Sequence, residues 1–331
     1  MKTPIKLRQT IDIKTIKGPV TADFKQLNRL IVDTLQSSIP LIQTVLNHIL
    51  DSGGKRMRPL TVLLLANHFD QQQQTQQIEL AAIIEFVHTA TLLHDDVIDH
   101  SSLRRGHDTA NTLWGNQASI LVGDFLYSRA FQLLSTRCNA PIMKKLSLTT
   151  NMLAEGEIIQ LANQGSLISE TTYLDTIYRK TAALFEAACE CAAITANQAP
   201  SVQQNCAQFG KHLGLIFQIQ DDILDYTACN GSLGKDRGDD IKEGKATLPL
   251  IYAFETATKI QKKLLLQAIE QKNVAMDDVI DIISNGPALT QCQALIQQHA
   301  EHAMAALSTL TDTHYKKNLE HLITFSLHRR H

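Results

Sequence analysis

The chain has 331 residues, of which 44% are hydrophobic, and its formal net charge at pH 7 is -2. This near-neutral balance offers no basic field to a nucleic acid, so we expect no nucleic-acid partner. Glycine and proline are scarce, with 15 and 8 residues, whereas residue types that lose little freedom in a helix are common. The composition therefore favours one large helical core.

The N-terminus and the cysteines bear on the location of the protein. No continuous apolar stretch follows the basic residues near Met1, so the N-terminus does not resemble a secretory signal. No run of about 18 apolar residues occurs, so we expect no membrane span. The six cysteines are scattered without a CxxC pair, which is typical of a reduced protein. We therefore expect a cytoplasmic protein.

Helical spacing and turn signals predict the elements in chain order. Residues 1–20 are interpreted as a flexible N-terminal arm. Apolar residues recur at helical spacing from Thr21 to Asp51, where Ser52-Gly53-Gly54 is a stop signal. The helices predicted further along the chain cover residues 78–98, 117–136, 141–164, 171–196, 202–227, 247–271 and 288–327. Because no segment alternates like a strand, residues 21–331 are predicted to form an all-α, single-domain helical bundle.

Two short acidic clusters interrupt apolar helical segments, and each of them reads D-D-x-x-D. Their members are Asp95, Asp96, Asp99 and Asp221, Asp222, Asp225. In each cluster the first and last aspartates are four residues apart and share one helix face. Carboxylates crowded among apolar side chains repel one another and lose hydration unless a cation lies between them. Such hard oxygen ligands suit Mg²⁺, which can also bind a substrate diphosphate.

Basic residues occur in the turns near these helices. They are Lys55, Arg58, Arg104, Arg105, Lys235 and Lys245. The first two lie beside a predicted helix start, where an anion is already favoured, and the planar fork of arginine can bond two phosphate oxygens. Any one of these residues alone is most simply a surface charge. Together they supply counter-charges for two diphosphates.

The combined motifs resemble those of the trans-isoprenyl diphosphate synthases, and among them the long-chain polyprenyl synthases. The motifs are GGKRMRP, LLHDDVIDHSSLRRG, GDFLYSRAF, RKTA, and QDDILDY followed by KATLP. The resemblance implies an all-α bundle around a deep central cavity, a homodimer and three Mg²⁺ ions. It further implies addition of isopentenyl diphosphate to an allylic diphosphate, either farnesyl or geranylgeranyl. The implied product is octaprenyl-like and serves a respiratory quinone such as ubiquinone.

The resemblance also assigns roles to individual residues. Asp95, Asp99 and Asp221 would reach metal directly, and Asp96, Asp222 and Asp225 would be ligands or supports behind them. The implied isopentenyl diphosphate site consists of Lys55, Arg58, His88 and Arg105. The implied allylic diphosphate site consists of Arg104, Lys180, Thr181, Gln218, Lys235 and Lys245. Catalysis is expected to depend chiefly on the three directly bound aspartates together with Lys180 and Arg104.

Product length is expected to depend on residues that precede Asp95 on its helix. Ala90 and Thr91 are small, and Ala90 lies about 7.5 Å further along the helix axis at 1.5 Å per residue. In short-chain relatives a bulky aromatic residue near this depth closes the cavity, so the sequence predicts an open tunnel here. Ala90 is alternatively small because two helices pack closely. The floor of the tunnel is expected at Leu134 and Leu146.

Other functions stay open from the sequence. A synthase of medium or short products, such as geranylgeranyl diphosphate, would share these motifs. His94-Asp95 also resembles the metal pair of the helical HD phosphohydrolases, although a duplicated D-D-x-x-D is foreign to that family. A non-catalytic synthase subunit would be expected to lack one acidic cluster or the basic turns, and a terpene cyclase would need no second diphosphate site.

Overall fold

The computed structural model describes residues 11–69, 74–227, 237–272 and 274–329. The helices are α1 Ile13–Lys17, α2 Thr21–Thr34, α3 Pro40–Asp51, α4 Met57–Phe69, α5 Gln74–Ile98, α6 Ala110–Arg137, α7 Ala140–Ala162, α8 Glu170–Ile177, α9 Ala183–Thr195, α10 Pro200–Thr227, α11 Asp239–Lys242, α12 Leu248–Thr256, α13 Lys259–Ile269, α14 Met276–Asn285, α15 Ala288–Leu307 and α16 His314–His328. A 3₁₀ turn covers Gly18–Val20 and a π-helical segment covers Tyr178–Ala182. Two antiparallel strands, β1 Leu103–Arg104 and β2 His107–Asp108, form the described sheet structure. The predicted all-α class is confirmed.

Helix α9 lies at the centre of the bundle. It contacts α4, α5, α7 and α10, and α5 in turn packs along α6. The small residues Ala187, Ala188 and Ala192 of α9 are completely buried, which lets the surrounding helices approach closely. Burial of apolar surface of this kind is the main favourable contribution to folding. Among the described residues no helix is both long and apolar enough to cross a membrane.

The N-terminal boundary of the folded part differs from the expected one. The sequence predicts a flexible arm over residues 1–20, but α1 begins at Ile13 and contacts α16. Asp12 caps α1 by accepting a hydrogen bond from the Lys14 backbone N–H at 3.2 Å. Ile16 and Val20 are completely buried. From residue 11 the chain therefore packs on the bundle, and residues 1–10 lie outside the described part.

Three predicted helices are each divided in two, namely those at 21–51, 247–271 and 288–327. Pro40 begins α3, because proline fits the first turn of a helix but not its interior. Thr258 and Gln261 form a capping box that begins α13. Thr313 begins α16 by accepting a hydrogen bond from the Lys316 backbone N–H at 3.1 Å. Local capping thus overrides the continuous apolar spacing.

Two glycines allow α10 to approach α9 and the π-helical segment. A Cβ atom at Gly214 would lie 2.5 Å from the Cα atom of Ala182, and one at Gly210 would lie 2.3 Å from the carbonyl oxygen of Phe185. These are closer than any Cβ contact can be, so glycine is required at both positions. The close approach brings Gln218, one turn after Gly214, beside Thr181.

Candidate active site

The first acidic cluster lies at the C-terminal end of α5, and its three carboxylates have different partners. Asp96 is buried and accepts two hydrogen bonds from Arg104, from Nε at 2.8 Å and from Nη2 at 2.6 Å. Asp99 forms an ion pair with Lys245 at 2.7 Å. The buried Oδ1 of Asp95 has no hydrogen-bond partner among the residues that the structure describes. Of the three aspartates in this cluster, Asp95 is therefore the one whose carboxylate is available to an external ligand.

The surroundings of Asp95 disfavour its charged form. Burial, followed by the nearby Glu157, raises the pKa of Asp95 to about 7, although Lys180 opposes the shift. Glu157 on α7 accepts an ion pair from Lys180 at 2.6 Å. A bound cation would remove this penalty by stabilising the carboxylate. Glu157 was missed from the sequence, although an acidic residue in the apolar helix α7 was a usable signal.

The second cluster lies near the C-terminal end of α10, and two of its aspartates are held by the protein. Asp222 accepts hydrogen bonds from Tyr173 Oη at 2.5 Å and from Gln218 Nε2 at 2.9 Å. Asp225 accepts from the backbone N–H groups of Asp239 and Asp240 at 3.2 and 3.4 Å, at the start of α11. Both carboxylates thus have positioning partners. Burial, followed by the nearby Asp240, raises the pKa of Asp225 to about 8.

Asp221 is the most accessible aspartate of the second cluster, with 42% of its side chain exposed. Its Oδ1 pairs with Nη2 of Arg329 at 2.5 Å, and the Arg329 guanidinium stacks on the Phe217 ring at 3.8 Å. Arg329 is buried and follows α16 directly. Arg329 belongs to no site predicted from the sequence, and its basic neighbour Arg330 lies outside the described residues.

The acidic clusters are suited to a divalent cation. Cationic side chains pair with carboxylates of both clusters, Arg104 with Asp96, Lys245 with Asp99 and Arg329 with Asp221. The backbone N–H of Lys245 donates to the carbonyl oxygen of Asp240 at 2.8 Å, and the Asp240 N–H donates to Asp225, so Lys245 links the two clusters. Carboxylate oxygens are the ligands that Mg²⁺ and Ca²⁺ prefer. The unpartnered Asp95 oxygen and these cation-paired carboxylates therefore fit a metal ion that binds a diphosphate.

Most of the residues predicted for isopentenyl diphosphate come together around His88, which lies two turns before Asp95 on α5. Nη1 of Arg58 lies 3.1 Å from Nε2 of His88, and the Arg58 guanidinium lies 4.4 Å from the centre of the Phe185 ring. Burial, and next the charge of Arg58, holds the pKa of His88 well below its usual range. His88 is therefore neutral at pH 7 and accepts a hydrogen bond from Arg58. The neutral His88 side chain is thus partly buried and lies among the cationic side chains of this group.

Arg105 and Lys55 complete this group. The Arg105 guanidinium donates a hydrogen bond to the carbonyl oxygen of Gly53, in the turn before α4. The Lys55 Nζ lies 5.6 Å from the centre of the Phe325 ring. Burial, together with the charges of Arg329 and Arg105, lowers the pKa of Lys55. These cations therefore lie close enough to Lys55 to repel it, and a bound anion would reduce this repulsion.

Glu85 is an acidic member of this environment that the sequence interpretation missed. Its Oε1 lies 3.6 Å from Nε of Arg56, and its Oε2 is buried without a hydrogen-bond partner among the described residues. Burial raises the pKa of Glu85, whereas Arg56, Arg58 and Arg105 lower it. Glu85 lies on α5 one turn before His88, so its helical spacing was the available signal. It offsets part of the positive charge in the free protein.

A cavity beside α5 connects these groups. It is lined by apolar side chains that include Phe86, Leu93 and Leu126. His88, Arg104 and Arg105 supply polar groups to the same cavity. A ligand with a charged head and an apolar tail would match such a lining.

Three of the predicted allylic residues, Lys180, Thr181 and Gln218, lie in or beside the π-helical segment between α8 and α9. Lys180 contacts Glu157 and Gln160 of α7. Thr181 donates a hydrogen bond to Oε1 of Gln218 at 2.8 Å, and Gln218 donates in turn to Asp222. The structure thus links Thr181 to the second acidic cluster. Lys235, the remaining residue of this set, lies outside the described part of the chain.

The residues predicted to set product length are all shielded from solvent. Ala90, Leu134 and Leu146 are buried, and Thr91 is half-buried, with its hydroxyl bonded to the His88 carbonyl oxygen at 2.8 Å. They lie on α5, α6 and α7. Ala90 is not among the residues that line the cavity beside α5. Their role in chain length stays a prediction.

His94 does not take part in a histidine-rich metal site with Asp95. Its Nε2 lies 3.1 Å from the carbonyl oxygen of Ile120 and 3.5 Å from a carboxylate oxygen of Asp124. A phosphohydrolase of the HD class needs further histidine ligands around its metal pair. Among the described residues, the one grouping of three potential ligands that contains histidine lies elsewhere, on α10 and α15. The structure therefore does not favour an HD phosphohydrolase.

Comparison with known proteins agrees with this geometry. A family model described as polyprenyl synthetase matches residues 39–285. The chain is 39% identical to octaprenyl diphosphate synthase of Escherichia coli (strain K12), over 96% of this chain and 99% of the relative. It is 42% identical to all-trans-nonaprenyl-diphosphate synthase (geranyl-diphosphate specific) of Rhodobacter capsulatus, over the same shares.

Solved structures show the same relationship. A polyprenyl synthase from Caulobacter crescentus, complexed with calcium and isoprenyl diphosphate, superposes with a TM-score of 0.93 at 37% identity, covering 98% of this chain and 100% of the other. A decaprenyl diphosphate synthase from Rhodobacter capsulatus gives a TM-score of 0.90 at 35% identity, with 96% and 98% covered. The chain belongs to the polyprenyl synthetase family. It is a prenyltransferase of a family that uses a divalent metal.

Proposed function

We propose that this chain is a Mg²⁺-dependent, long-chain trans-polyprenyl diphosphate synthase with an octaprenyl-like product. Its substrates are isopentenyl diphosphate and an allylic diphosphate, farnesyl or geranylgeranyl. The observation that carries the proposal is the pairing of two acidic clusters around Lys245, with Asp95 left to an external ligand and a separate cationic group around Arg58. Relatives named octaprenyl and nonaprenyl synthases support the long product.

The product itself tests this function. The purified protein is incubated with labelled isopentenyl diphosphate, Mg²⁺ and one primer at a time, and the dephosphorylated products are separated by chromatography. We expect an octaprenyl-like product from the farnesyl or the geranylgeranyl primer. A product that stops at geranylgeranyl would support the short-chain alternative, and the absence of any condensation would contradict the proposal.

The metal site is proposed to hold three Mg²⁺ ions between the acidic clusters. Asp95, Asp99 and Asp221 would bind them directly, with Asp96, Asp222 and Asp225 as further ligands or as supports. Bound Mg²⁺ supplies Lewis-acid stabilisation of the negative charge on a departing diphosphate. The hydrogen bonds from Tyr173 and Gln218 hold Asp222 in place, and Arg104 holds Asp96.

The side chains near the allylic site stabilise the separation of charge. As the allylic C–O bond breaks, Lys180, Arg104 and Lys245 can donate to oxygens of the departing diphosphate. The oxygens of Thr181 and Gln218 can face the carbocation, and apolar walls keep water from it. The double bond of isopentenyl diphosphate then forms the new C–C bond. The proton that it loses goes to an oxygen of the released diphosphate.

The two substrate sites are expected to respond differently to mutation. Lys55→Ala or Arg58→Ala should raise the KM for isopentenyl diphosphate about 10- to 100-fold, because a hydrogen bond to a charged group contributes ~1.5–3 kcal/mol. Lys180→Ala should act mainly on the allylic substrate or on kcat. Initial rates with each substrate varied in turn provide the measurement.

A surface lysine supplies the control for this comparison. Lys144→Ala, on the exposed face of α7, should leave both KM values unchanged. If Arg58→Ala and Lys180→Ala perturbed the two substrates equally, the assignment of the sites would be wrong.

We propose that the protein is a homodimer joined through α6 and α7. Both helices expose large apolar side chains, among them Leu121 at 67%, Ile158 at 65% and Leu148 at 56% of their surface. Because α6 and α7 contact each other, we propose that these side chains form one apolar patch. A contiguous patch on a folded protein marks an interaction surface, and a second copy of the chain could cover the same patch on both subunits.

Charge placed in that patch should separate the subunits. Leu121→Glu together with Leu148→Glu is expected to convert a dimer into a monomer, measured by size-exclusion chromatography with light scattering. Ile260→Glu is the matched control, because Ile260 is 84% exposed but lies on α13. A dimer that survives the double substitution would place the interface elsewhere.

Three further assignments concern the use of the product, the location of the protein and its domain. A respiratory quinone such as ubiquinone is proposed to receive the polyprenyl chain. The cytoplasmic location expected from the scattered cysteines is proposed as well, as is a single catalytic domain, which the packing of α1 extends from residue 21 back to residue 11.

A further inference from the structure

Three histidines lie together where α10 packs against α15. They are His212 on α10 and His299 and His302, one turn apart, on α15, and one ring nitrogen of each lies within 4.8 Å of the others. Nδ1 of His212 is 3.0 Å from Nδ1 of His299. The group is separate from the aspartates, because His212 precedes Asp221 by nine residues, or about 13 Å along the helix axis.

We propose that His212, His299 and His302 form a second metal site, which binds one divalent transition-metal ion of the Zn²⁺ class. Imidazole nitrogen is a preferred ligand of Zn²⁺, Ni²⁺ and Cu²⁺. Mg²⁺ prefers oxygen ligands such as the carboxylates of the acidic clusters. The two sites thus select different metals. The proposal does not depend on the prenyltransferase activity.

The spacing of the nitrogens is close to that of a tetrahedral site. Zn–N bonds of about 2.0–2.1 Å place two nitrogen ligands about 3.3 Å apart, and the His212 and His299 nitrogens are separated by 3.0 Å. The ring centres of His212 and His302 are 4.9 Å apart. Because His302 is exposed, its side chain can rotate to become the third ligand. Water can take the fourth position.

Both inner histidines are available as neutral ligands at pH 7. Burial, followed by the neighbouring histidines, lowers the pKa of His212 and of His299 to about 4. Lys211 adds a smaller effect in the same direction, and its Nζ lies over the Tyr178 ring at 5.2 Å. No proton therefore has to be displaced before a metal binds.

A simple hydrogen bond between two histidines is the competing explanation. In that arrangement one Nδ1 donates and the other accepts. That hydrogen bond involves only His212 and His299, whereas one ring nitrogen of His302 also lies within 4.8 Å of theirs. A metal ion bound to all three nitrogens accounts for the third imidazole. The buried Nε2 of His299 has no partner among the described residues and does not distinguish the two explanations, because both use Nδ1.

Zinc binding in the presence of Mg²⁺ tests the proposal. The full-length protein is stripped with EDTA, dialysed into excess Mg²⁺ to saturate the aspartates, and titrated with ZnCl₂ in a calorimeter. We expect one Zn²⁺ per chain that Mg²⁺ does not displace, and a cobalt-substituted sample with the visible absorption of tetrahedral nitrogen ligation. Zn²⁺ should also raise the Tm, because it binds only the folded state.

Variants locate the binding. His302→Gln should weaken Zn²⁺ binding by at least about tenfold, and His299→Gln with His302→Gln should abolish the site. His314→Gln, an exposed histidine at the start of α16, should change nothing. Equal Tm values in EDTA would show that the variants are folded. Unchanged Zn²⁺ affinity in the double variant, or no Mg²⁺-resistant site in the wild type, would overturn the proposal and leave a hydrogen-bonded helix contact.

Discussion

Asp95→Ala and Asp221→Ala are each expected to lower turnover by about 10²- to 10³-fold or more, the scale on which losing one stabilising group acts in other enzymes. Asp95 has a buried oxygen that no described side chain satisfies, and Asp221 is paired with the cationic side chain of Arg329. Removing either carboxylate relieves crowding of like charge in the free protein. The fold should therefore persist while the reaction fails.

Initial rates at saturating concentrations of both substrates measure this loss, and thermal unfolding checks the fold. Asp278→Ala, an exposed aspartate on α14, is the matched control and should retain full turnover. Excess EDTA should abolish wild-type activity and added Mg²⁺ should restore it. Full activity in excess EDTA would refute the metal dependence.

Ala90→Tyr is expected to shorten the product to the farnesyl or geranylgeranyl class. Ala90 is completely buried on α5, one turn and a residue before Asp95. If its methyl group faces the growing chain, a phenol ring there fills the tunnel, because close-packed interiors yield little. Leu146→Ala on α7 should conversely admit one or more additional isoprene units.

Mass spectrometry of the products measures both changes. Ala90→Ser, which nearly conserves volume, is the control and should keep the wild-type distribution. Overpacking costs about 1–3 kcal/mol, so the Tm of Ala90→Tyr shows whether the variant is folded. A folded Ala90→Tyr protein with an unchanged octaprenyl-like product would show that this face of α5 does not line the tunnel.

The acidic clusters were predictable because their signal is local. Asp95 and Asp99 stand out from an apolar helix, and the spacing of four places them on one face without knowledge of the tertiary structure. The same holds for the all-α class, which follows from composition and periodicity. The partners of these residues were not predictable in this way. The contact of Asp221 with Arg329 joins residues that are far apart in the chain.

Other features of the structure were not predicted from the sequence for a different physical reason. Glu85 and Glu157 are glutamates outside the two acidic motifs, and glutamates at surface positions look the same in the sequence. Only the cations that pack around them show their setting. The division of three helices depended on caps that are weaker signals than apolar spacing. Residues 11–20 place Ile16 and Val20 in the core, but the segment is too short for its apolar spacing to predict a helix.

The π-helical segment at Tyr178–Ala182 has a consequence for attempts to stabilise the protein. Hydrogen bonds from residue i to i+5 accommodate one inserted residue, so removing a residue there would restore regular α-helical bonding locally. The same deletion would rotate Lys180 and Thr181 by about 100° relative to α9, because each helical residue turns the chain by that angle. Thermostability and turnover would then move in opposite directions, a trade-off that is common where backbone irregularity serves a site. Redesign of this enzyme should therefore retain the irregular turn and seek added stability elsewhere.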